Sequence, residues 1–527
     1  MRFFNTAGPV VCERHYCLPP LERLDLEEAL MLIEQWKYFV LHAPRQTGKT
    51  SCLLALMKFL NRRGDHRCLY ANLESAQAAR ENVRDGVFSI LQEMSSRARD
   101  FLDDRFMEEN RHDVFQSAGP YAALNEMLTL WAKASPKPLV VLLDEIDSLV
   151  GDTLISVLRQ LRAGYDKRPE GFPQTIILCG VRDVRDYRIH SETEKAVITG
   201  GSAFNIKAES LRVGNFIRKE MEALYRQHTE ETGQEFTGEA LDSAWELTRG
   251  QPWLVNALAY EACFKTKESR ERSRPVTAAM LDEAKEHLIL RRETHLDQLA
   301  DKLREDRVRR VVEPILAGES FESEFRWEDV QYVLDLGLLV REPGGALHVA
   351  NRIYREVIPR ELTWGPQTGM TLQAASYIAP GGLLDMDRLL AAFQEFFREH
   401  SEHWLQRFDY REAGPQLLLQ AFLQRIVNSG GRVEREYGLG RMRTDLLVIW
   451  PCEERIQKVV VELKVLRKSL EKTVADGLEQ TFEYMDRCGA VEGHLVVFDR
   501  RAERSWEEKI FSRRESYRGK EIGVWGM

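Results

Sequence analysis

No stretch of this sequence approaches the ~20 consecutive apolar residues that a bilayer-spanning helix requires, so neither a transmembrane span nor a membrane partner is expected. The opening residues, MRFFNTAGPVVCERHYC, lack the basic segment and apolar run of a secretory leader, which points to a cytoplasmic chain. Cysteine is sparse, with 8 in 527 residues and no Cys-x-x-Cys spacing, as suits a reducing compartment rather than a disulfide framework or a zinc ribbon. Cys12, His15 and Cys17 form the one cluster near metal-ligand spacing, and without a fourth ligand no zinc is expected there. An excess of positive charge is also missing: 74 Lys+Arg stand against 83 Asp+Glu, a net charge of −9, which excludes a nucleic-acid-binding surface spread over the whole molecule. From Leu405 onward, however, 22 Lys+Arg face 20 Asp+Glu, so that part carries +2 and the remainder −11. Any polyanion contact belongs near the C-terminus.

What is present is an ordinary globular composition, 43% hydrophobic and 30% charged, on a chain too long for one core. At roughly 150 residues per domain, three or four domains are expected. The stretch WKYFVLHAPRQTGKTSCLLALMKFL passes from an apolar strand through a loop into an amphipathic helix. Its loop, Ala43-Pro44-Arg45-Gln46-Thr47-Gly48-Lys49-Thr50, fits the phosphate-binding pattern GxxxxGK[ST] except that Ala43 replaces the first glycine. In such a loop backbone N–H groups and a helix N-terminus cradle the phosphates, the Lys49 ammonium reaches the β and γ oxygens, and the Thr50 hydroxyl ligates Mg²⁺. ATP and Mg²⁺ are therefore the expected ligands.

A second wholly apolar strand, in PKPLVVLLDEIDSL, delivers Asp144 and Glu145 at its C-terminal edge. That edge is where an α/β nucleotide fold places its Mg²⁺ ligand, so Asp144 is expected beside Thr50 and Glu145 beside the attacking water. Asp147 reads as a helix cap. Two more strands, RCLYANL and QTIILCGV, complete a parallel sheet.

The segments FVLHAPRQTGKTS, VVLLDEIDSL, GSAFNIKAESL and TRGQPWLVNALAYEA resemble the prokaryotic AAA-like P-loop ATPases of the STAND and archaeal-ATPase group, over roughly residues 10–360. A Pro-Arg pair inside the loop is common in that group. The resemblance implies a γ-phosphate sensor at Arg182, beside Asp183, and a nucleotide-proximal G-x-P motif at Gly250-Gln251-Pro252. Read physically, Gly250 ends one helix and Pro252 opens the next.

The expected organisation is an ATPase core over 1–210, a helical lid over 211–292, a winged helix over 293–364, a linker over 365–404 and a separate α/β domain over 405–527. The winged-helix reading rests on the order helix, Gly-Leu-Leu-Val strand, Pro-Gly-Gly turn, strand and helix in FRWEDVQYVLDLGLLVREPGGALHVANRIYREVIPREL. Its helix EDVQYVLDLG has no Arg or Lys to meet phosphates, which favours an intramolecular regulatory role over DNA binding.

In the last domain Asp445 opens the apolar strand DLLVIW, and a turn leads to the strand carrying Glu462 and Lys464 on one face. Two carboxylates meeting there would hold Mg²⁺, with the ammonium orienting a water against a phosphodiester. The spacing resembles the PD-(D/E)xK nuclease superfamily, giving a restriction-endonuclease-like α/β domain. Gln480 and Tyr484, one helical turn apart, match the Q-x-x-x-Y of its RecB-like members and would position strand or substrate. Arg441 and Arg443 would suit a phosphate backbone, and Glu412 would supply a further carboxylate. The resemblances together imply a homo-oligomeric, ATP-controlled nuclease acting on DNA or RNA, in phage defence or mobile-element biology. The alternative is a STAND-like signalling or scaffold ATPase whose last domain only binds nucleic acid or a partner.

Overall fold

The computed structural model describes residues 1–183, 188–191, 196–199, 204–265, 268–291, 294–317, 326–362, 377–379, 381–405, 418–420, 422–424, 427, 431–439, 442–452, 455–466, 469–499, 501 and 504–527. The chain divides into two compact units, Met1–His295 with Val330–Leu338, and Leu296–Asp329 with Leu339–Met527.

In the first unit β1 (Tyr38–His42), β2 (Arg67–Asn72), β3 (Leu139–Asp144), β4 (Thr175–Gly180) and β7 (Lys207–Arg212) form one sheet in the order β2-β3-β4-β1-β7, every neighbouring pair parallel, and β5 (Arg188–Ser191) pairs antiparallel with β6 (Ala196–Thr199) apart from it. Strands buried on both faces read as continuous apolar runs, and β1, β3 and β4 do. In β1, Tyr38 and Val40 pack with Leu128 and Leu158 on one side, while Phe39 and Leu41 pack with Leu53 and Leu56 on the other. The first side is covered by α3 (Val83–Leu102), α4 (Phe106–Ala118), α5 (Ala123–Ala134) and α6 (Gly151–Ala163), the second by α1 (Leu26–Glu34) and α2 (Lys49–Arg63). Four strands of this sheet were legible in the sequence; β7, KAESLR, was not, because an edge strand need bury only one face. Over the span expected as a lid, the described residues include the helices Arg218–Thr232, Gly238–Thr248, Pro252–Tyr260 and Ala278–Leu290.

The N-terminal segment is tied to the first of these helices: the Tyr16 hydroxyl lies 3.1 Å from His228 Nδ1, and Cys17 N–H donates to Gln227 Oε1 at 3.0 Å. Here the structure departs from the expectation of cysteines without disulfides, since Cys12 is bonded to Cys17. The turn over residues 11–15, closed by N–H bonds from Arg14 and His15 to the Val11 carbonyl, brings the two together. Within that turn His15 Nδ1 accepts from Val11 N–H at 3.0 Å.

Gly250 behaves as read, with φ 73°, immediately before the Pro252–Tyr260 helix. A Cβ at this position would lie 1.9 Å from the Phe216 carbonyl oxygen, whose own N–H donates to the Gly250 carbonyl. Gly250→Ala therefore combines left-handed strain with a backbone clash, an expected loss of about 2–5 kcal/mol. A thermal midpoint equal to that of the unsubstituted protein would refute the point.

In the second unit a mixed sheet runs β10 (Arg432–Leu439), β11 (Met442–Cys452), β12 (Arg455–Val465), β13 (Glu492–Phe498), β15 (Lys520–Gly526) and β14 (Phe511–Tyr517). The pairs β12/β13 and β13/β15 are parallel and the rest antiparallel. Val459, Val461 and Leu463 of β12 face a core containing Phe393 and Phe422, while Val460 faces Val474 and Tyr484 of the helix Leu470–Cys488. The expected linker thus loses its second half. Residues Met386–Leu405 form a helix, and its Leu389, Leu390, Phe393 and Phe397 belong to that core. In chain order, the helix Trp327–Asp335, the antiparallel hairpin of β8 (Leu339–Arg341) and β9 (Leu347–Val349) and the helix Arg352–Leu362 supply the elements read as a winged helix. No helix among the described residues is long and apolar enough to cross a membrane.

Candidate active site

The loop between β1 and α2 is shaped by two left-handed residues, Gln46 (φ 58°) and Gly48 (φ 96°). Ala43 is not one of them, so the position where the pattern has its first glycine needs no glycine here. Ala43 N–H instead donates to the Gly180 carbonyl at the end of β4. Gly48 caps α2, and Lys49, buried within the loop, donates through Nζ to the Ala43 and Pro44 carbonyls at 3.0 and 3.1 Å. Thr47 Oγ1 donates to the Pro44 carbonyl at 2.8 Å. Arg45 lies close enough to Glu145 for its charge to act on that carboxyl. Arg23, which sequence reasoning missed, braces the loop from outside by donating to the Thr47 carbonyl at 2.6 Å and the Gly214 carbonyl at 2.8 Å.

Asp144 ends β3 fully buried, and its Oδ2 accepts from Thr50 Oγ1 at 2.7 Å and from the Tyr70 hydroxyl at 3.0 Å. A carboxylate and a hydroxyl, both hard oxygen donors, thus meet at the loop's helix N-terminus, a donor set that fits Mg²⁺. Tyr70 had announced itself only as one apolar member of β2. Burial and the neighbouring Asp144 carboxylate push its phenol far up, so it remains a donor.

Glu145 follows in the left-handed region (φ 56°), with its N–H on Asp144 Oδ1 at 3.0 Å. Strained backbone held at a cavity edge is a mark of functional geometry. Burial raises the Glu145 carboxyl above its ordinary value, and Asp147 adds to the rise. Asp147 itself is not the expected cap: it sits inside the short turn Ile146–Ser148, while α6 starts after Val150 without a side-chain cap. With Glu145 as the base, its acid form is inactive, so the acid limb of kcat should lie above that of an ordinary glutamate. Asp147→Asn should shift this limb to lower pH; a pH profile unchanged by the substitution would remove Asp147 from the account.

Several of these groups line a cavity of about 540 Å³, a size that suits a small-molecule site. Lys49, Thr50 and Glu145 lie along it, together with Pro9 of the N-terminal segment and with Pro252 and Trp253 of the Pro252–Tyr260 helix. Arg182 is placed outside that lining, with its guanidinium over the Tyr332 ring at 4.7 Å and Nε 3.5 Å from Asp335 Oδ2. Burial raises the Asp335 carboxyl, with Gln331 and Arg182 pulling the other way. Asp183, buried, accepts from Ser210 Oγ at 2.5 Å.

The family described as "AAA domain" matches residues 34–187, a span that holds the phosphate loop, Asp144 and Glu145. The N-terminal part of the chain, over residues 34–187, thus matches an AAA-type P-loop ATPase domain, and its parallel five-stranded sheet is the one typical of such ATPases. Among solved structures, the Walker-type ATPase PABY2304 of Pyrococcus abyssi is similar at 16% identity and TM-score 0.45, over 67% of this chain and 99% of that one. Cdc6p from Pyrobaculum aerophilum is similar at 14% identity and TM-score 0.36, over 66% and 95%. The Thermotoga maritima RuvB Holliday junction branch migration motor is similar at 13% identity and TM-score 0.33, over 64% and 95%. Such scores are too low to define a shared fold, and the assignment rests on the family match. No curated protein matches the chain.

In the second unit, Glu462 lies on β12 at 3% exposure, and Lys464 Nζ bonds its Oε1 at 2.7 Å. Asp445 lies on β11, and the pair Leu446–Val461 fixes the register, so Asp445 and Glu462 are each one residue beyond it. The side chains of Asp445 and Arg443, and Arg441 and Glu412 altogether, lie outside the described residues. Gln480 and Tyr484 sit on the helix Leu470–Cys488, half-buried and buried respectively. Tyr484 joins the core on the Val460 side, the face of β12 that Glu462 and Lys464 share. Among the described residues no group of three or more His, Cys, Asp or Glu side chains is set to hold a metal.

Proposed function

We propose that the chain is an ATP-controlled, Mg²⁺-dependent nuclease acting on DNA or RNA. In the ATPase part, Lys49 and the N–H groups of residues 46–50 hold the triphosphate, Thr50 and Asp144 hold Mg²⁺, and Glu145 takes the proton of the attacking water. The bound cation supplies neutralising charge. In the second unit, Glu462 with Asp445 holds a cation and Lys464 orients the water that attacks a phosphodiester. Gln480 and Tyr484 position the strand. The helix and hairpin segment after the lid couples nucleotide state to that site. The active species is a homo-oligomer working in phage defence or mobile-element biology, a setting supported by the resemblance alone.

The observation that carries the nuclease reading is the burial of Glu462 with its ammonium partner on a strand inside the sheet. Taking an ion pair out of water is costly, and stability alone does not favour keeping one on a strand of valines. The test is incubation of the full chain with single- and double-stranded DNA and RNA, with Mg²⁺ or Mn²⁺, with and without ATP. Metal-dependent cleavage supports the reading. Binding without cleavage under every condition would favour a scaffold ATPase instead.

A further inference from the structure

We infer that Arg97, on α3, is the guanidinium that this chain supplies in cis to the transferred γ-phosphoryl group, held over the site by Tyr70. The proposal rests on the ATPase reading and names a residue that neither sequence motif nor family spacing indicated. Among the described residues two arginines line the nucleotide cavity, Arg23 and Arg97. Arg23 is committed to the backbone, with its two terminal nitrogens on the Thr47 and Gly214 carbonyls. Arg182, expected as the sensor, lies off the cavity against Tyr332 and Asp335.

Arg97 is differently placed. Its guanidinium lies 5.8 Å from the ring centroids of both Tyr70 and Phe101, and its Nε donates to Glu93 Oε1 at 2.7 Å, one turn back on α3. Among the described residues no hydrogen bond engages its two terminal nitrogens, about a third of the side chain is exposed, and the residue lines the cavity. The Glu93 bond and the two cation–π contacts restrain the guanidinium while leaving its outer N–H groups for a ligand, which suits bidentate recognition of phosphate oxygens.

The support continues to the reacting centre. The Tyr70 hydroxyl donates to Asp144 Oδ2, the oxygen that Thr50 also contacts, so one side chain carries Arg97 on its ring and the carboxylate on its hydroxyl. Tyr70 precedes Asn72 by two residues, and Asn72 pairs with Asp144 across β2 and β3, so sheet register holds the arrangement. In the reaction, water bonds to the γ-phosphorus and gives its proton to Glu145, while the bond from phosphorus to the β–γ bridging oxygen breaks and its electron pair leaves on ADP. Charge builds on the γ oxygens, and a guanidinium facing them is worth more in that state than in the ground state.

The test compares the full chain with Arg97→Ala and Arg97→Lys. For Arg97→Ala, kcat should fall about 10²-fold, with Mg²⁺-ADP affinity and the thermal midpoint almost unchanged. The tightening of ADP binding by aluminium fluoride, which mimics the transferred group, should be lost with it. Arg97→Lys, which keeps the charge and the stem over Tyr70 but not the fork, should fall in between. An unchanged kcat, or aluminium fluoride tightening that survives the alanine, overturns the role. A parallel loss of ADP affinity and thermal midpoint in both variants also overturns it, in favour of a structural part for α3. A wild type that neither binds nor hydrolyses ATP refutes the ATPase reading itself, a separate failure.

Discussion

Lys49→Ala abolishes ATP binding or hydrolysis: that is the expected result from a loop whose only ammonium is this one. The argument is electrostatic. Lys49 is 5% exposed, and its Nζ sits on two carbonyls of its own loop, 3.0 and 3.1 Å away, pre-aimed at the hollow the phosphates would fill. Alanine removes the charge and leaves those carbonyls facing anionic oxygens without a cation between them, so the loss should exceed tenfold in nucleotide affinity. Glu145→Gln separates binding from chemistry. It keeps the size and polarity of the side chain but cannot take the proton of the attacking water, so nucleotide still binds and turnover drops by about 10²-fold or more. Direct nucleotide titration and phosphate release measure the two independently. Unchanged affinity and turnover in Lys49→Ala would sink the phosphate-loop assignment, and full turnover in Glu145→Gln would remove that residue from its role.

The legible part of this site was local in sequence. Eight consecutive residues define the loop, and an apolar strand ending in Asp-Glu defines its partner, so both could be placed before any fold was known. What escaped was assembled across strands and helices. Tyr70 reaches Asp144 from a neighbouring strand, 74 residues away in sequence, and a tyrosine among apolar strand residues carries no spacing that says so. Arg23 reaches the loop from the turn before α1, and Arg97 comes from a helix whose pattern reads only as amphipathic. The same limit shaped the fold. The helix Met386–Leu405 follows a Gly-Gly break and so reads as a connection, and only the sheet it covers reveals Phe393 and Phe397 as core. Asp147 was read as a cap from its position after an apolar strand, whereas α6 begins later and leaves its charge beside Glu145.

Glu462→Ala and Lys464→Ala should each remove nucleic-acid cleavage and leave ATP hydrolysis within about twofold of its original rate, for different physical reasons. Glu462 supplies negative charge to a hard cation, and Lys464 acts on the water, so loss of either stops the same step. Their effects on stability should differ as well. The Glu462 side chain is 4% exposed and that of Lys464 26%. Removing the carboxylate leaves an ammonium that can turn toward water, at a modest cost. Removing the ammonium takes a charged partner from a buried carboxylate, and breaking a buried pair in that way costs up to about 3–5 kcal/mol. Lys464→Ala should therefore have the lower thermal midpoint of the two, and a cleavage loss in Glu462→Ala is the cleaner evidence for chemistry. A surface ion pair would behave otherwise, with both variants within about 1 kcal/mol of the parent and cleavage intact. Excess Mn²⁺ should partly rescue a weakened cation site in Glu462→Ala but not restore Lys464→Ala, since no divalent ion replaces an ammonium on the water. A folded Glu462→Ala protein that still cuts at the original rate would defeat the nuclease reading, whatever its sheet resembles.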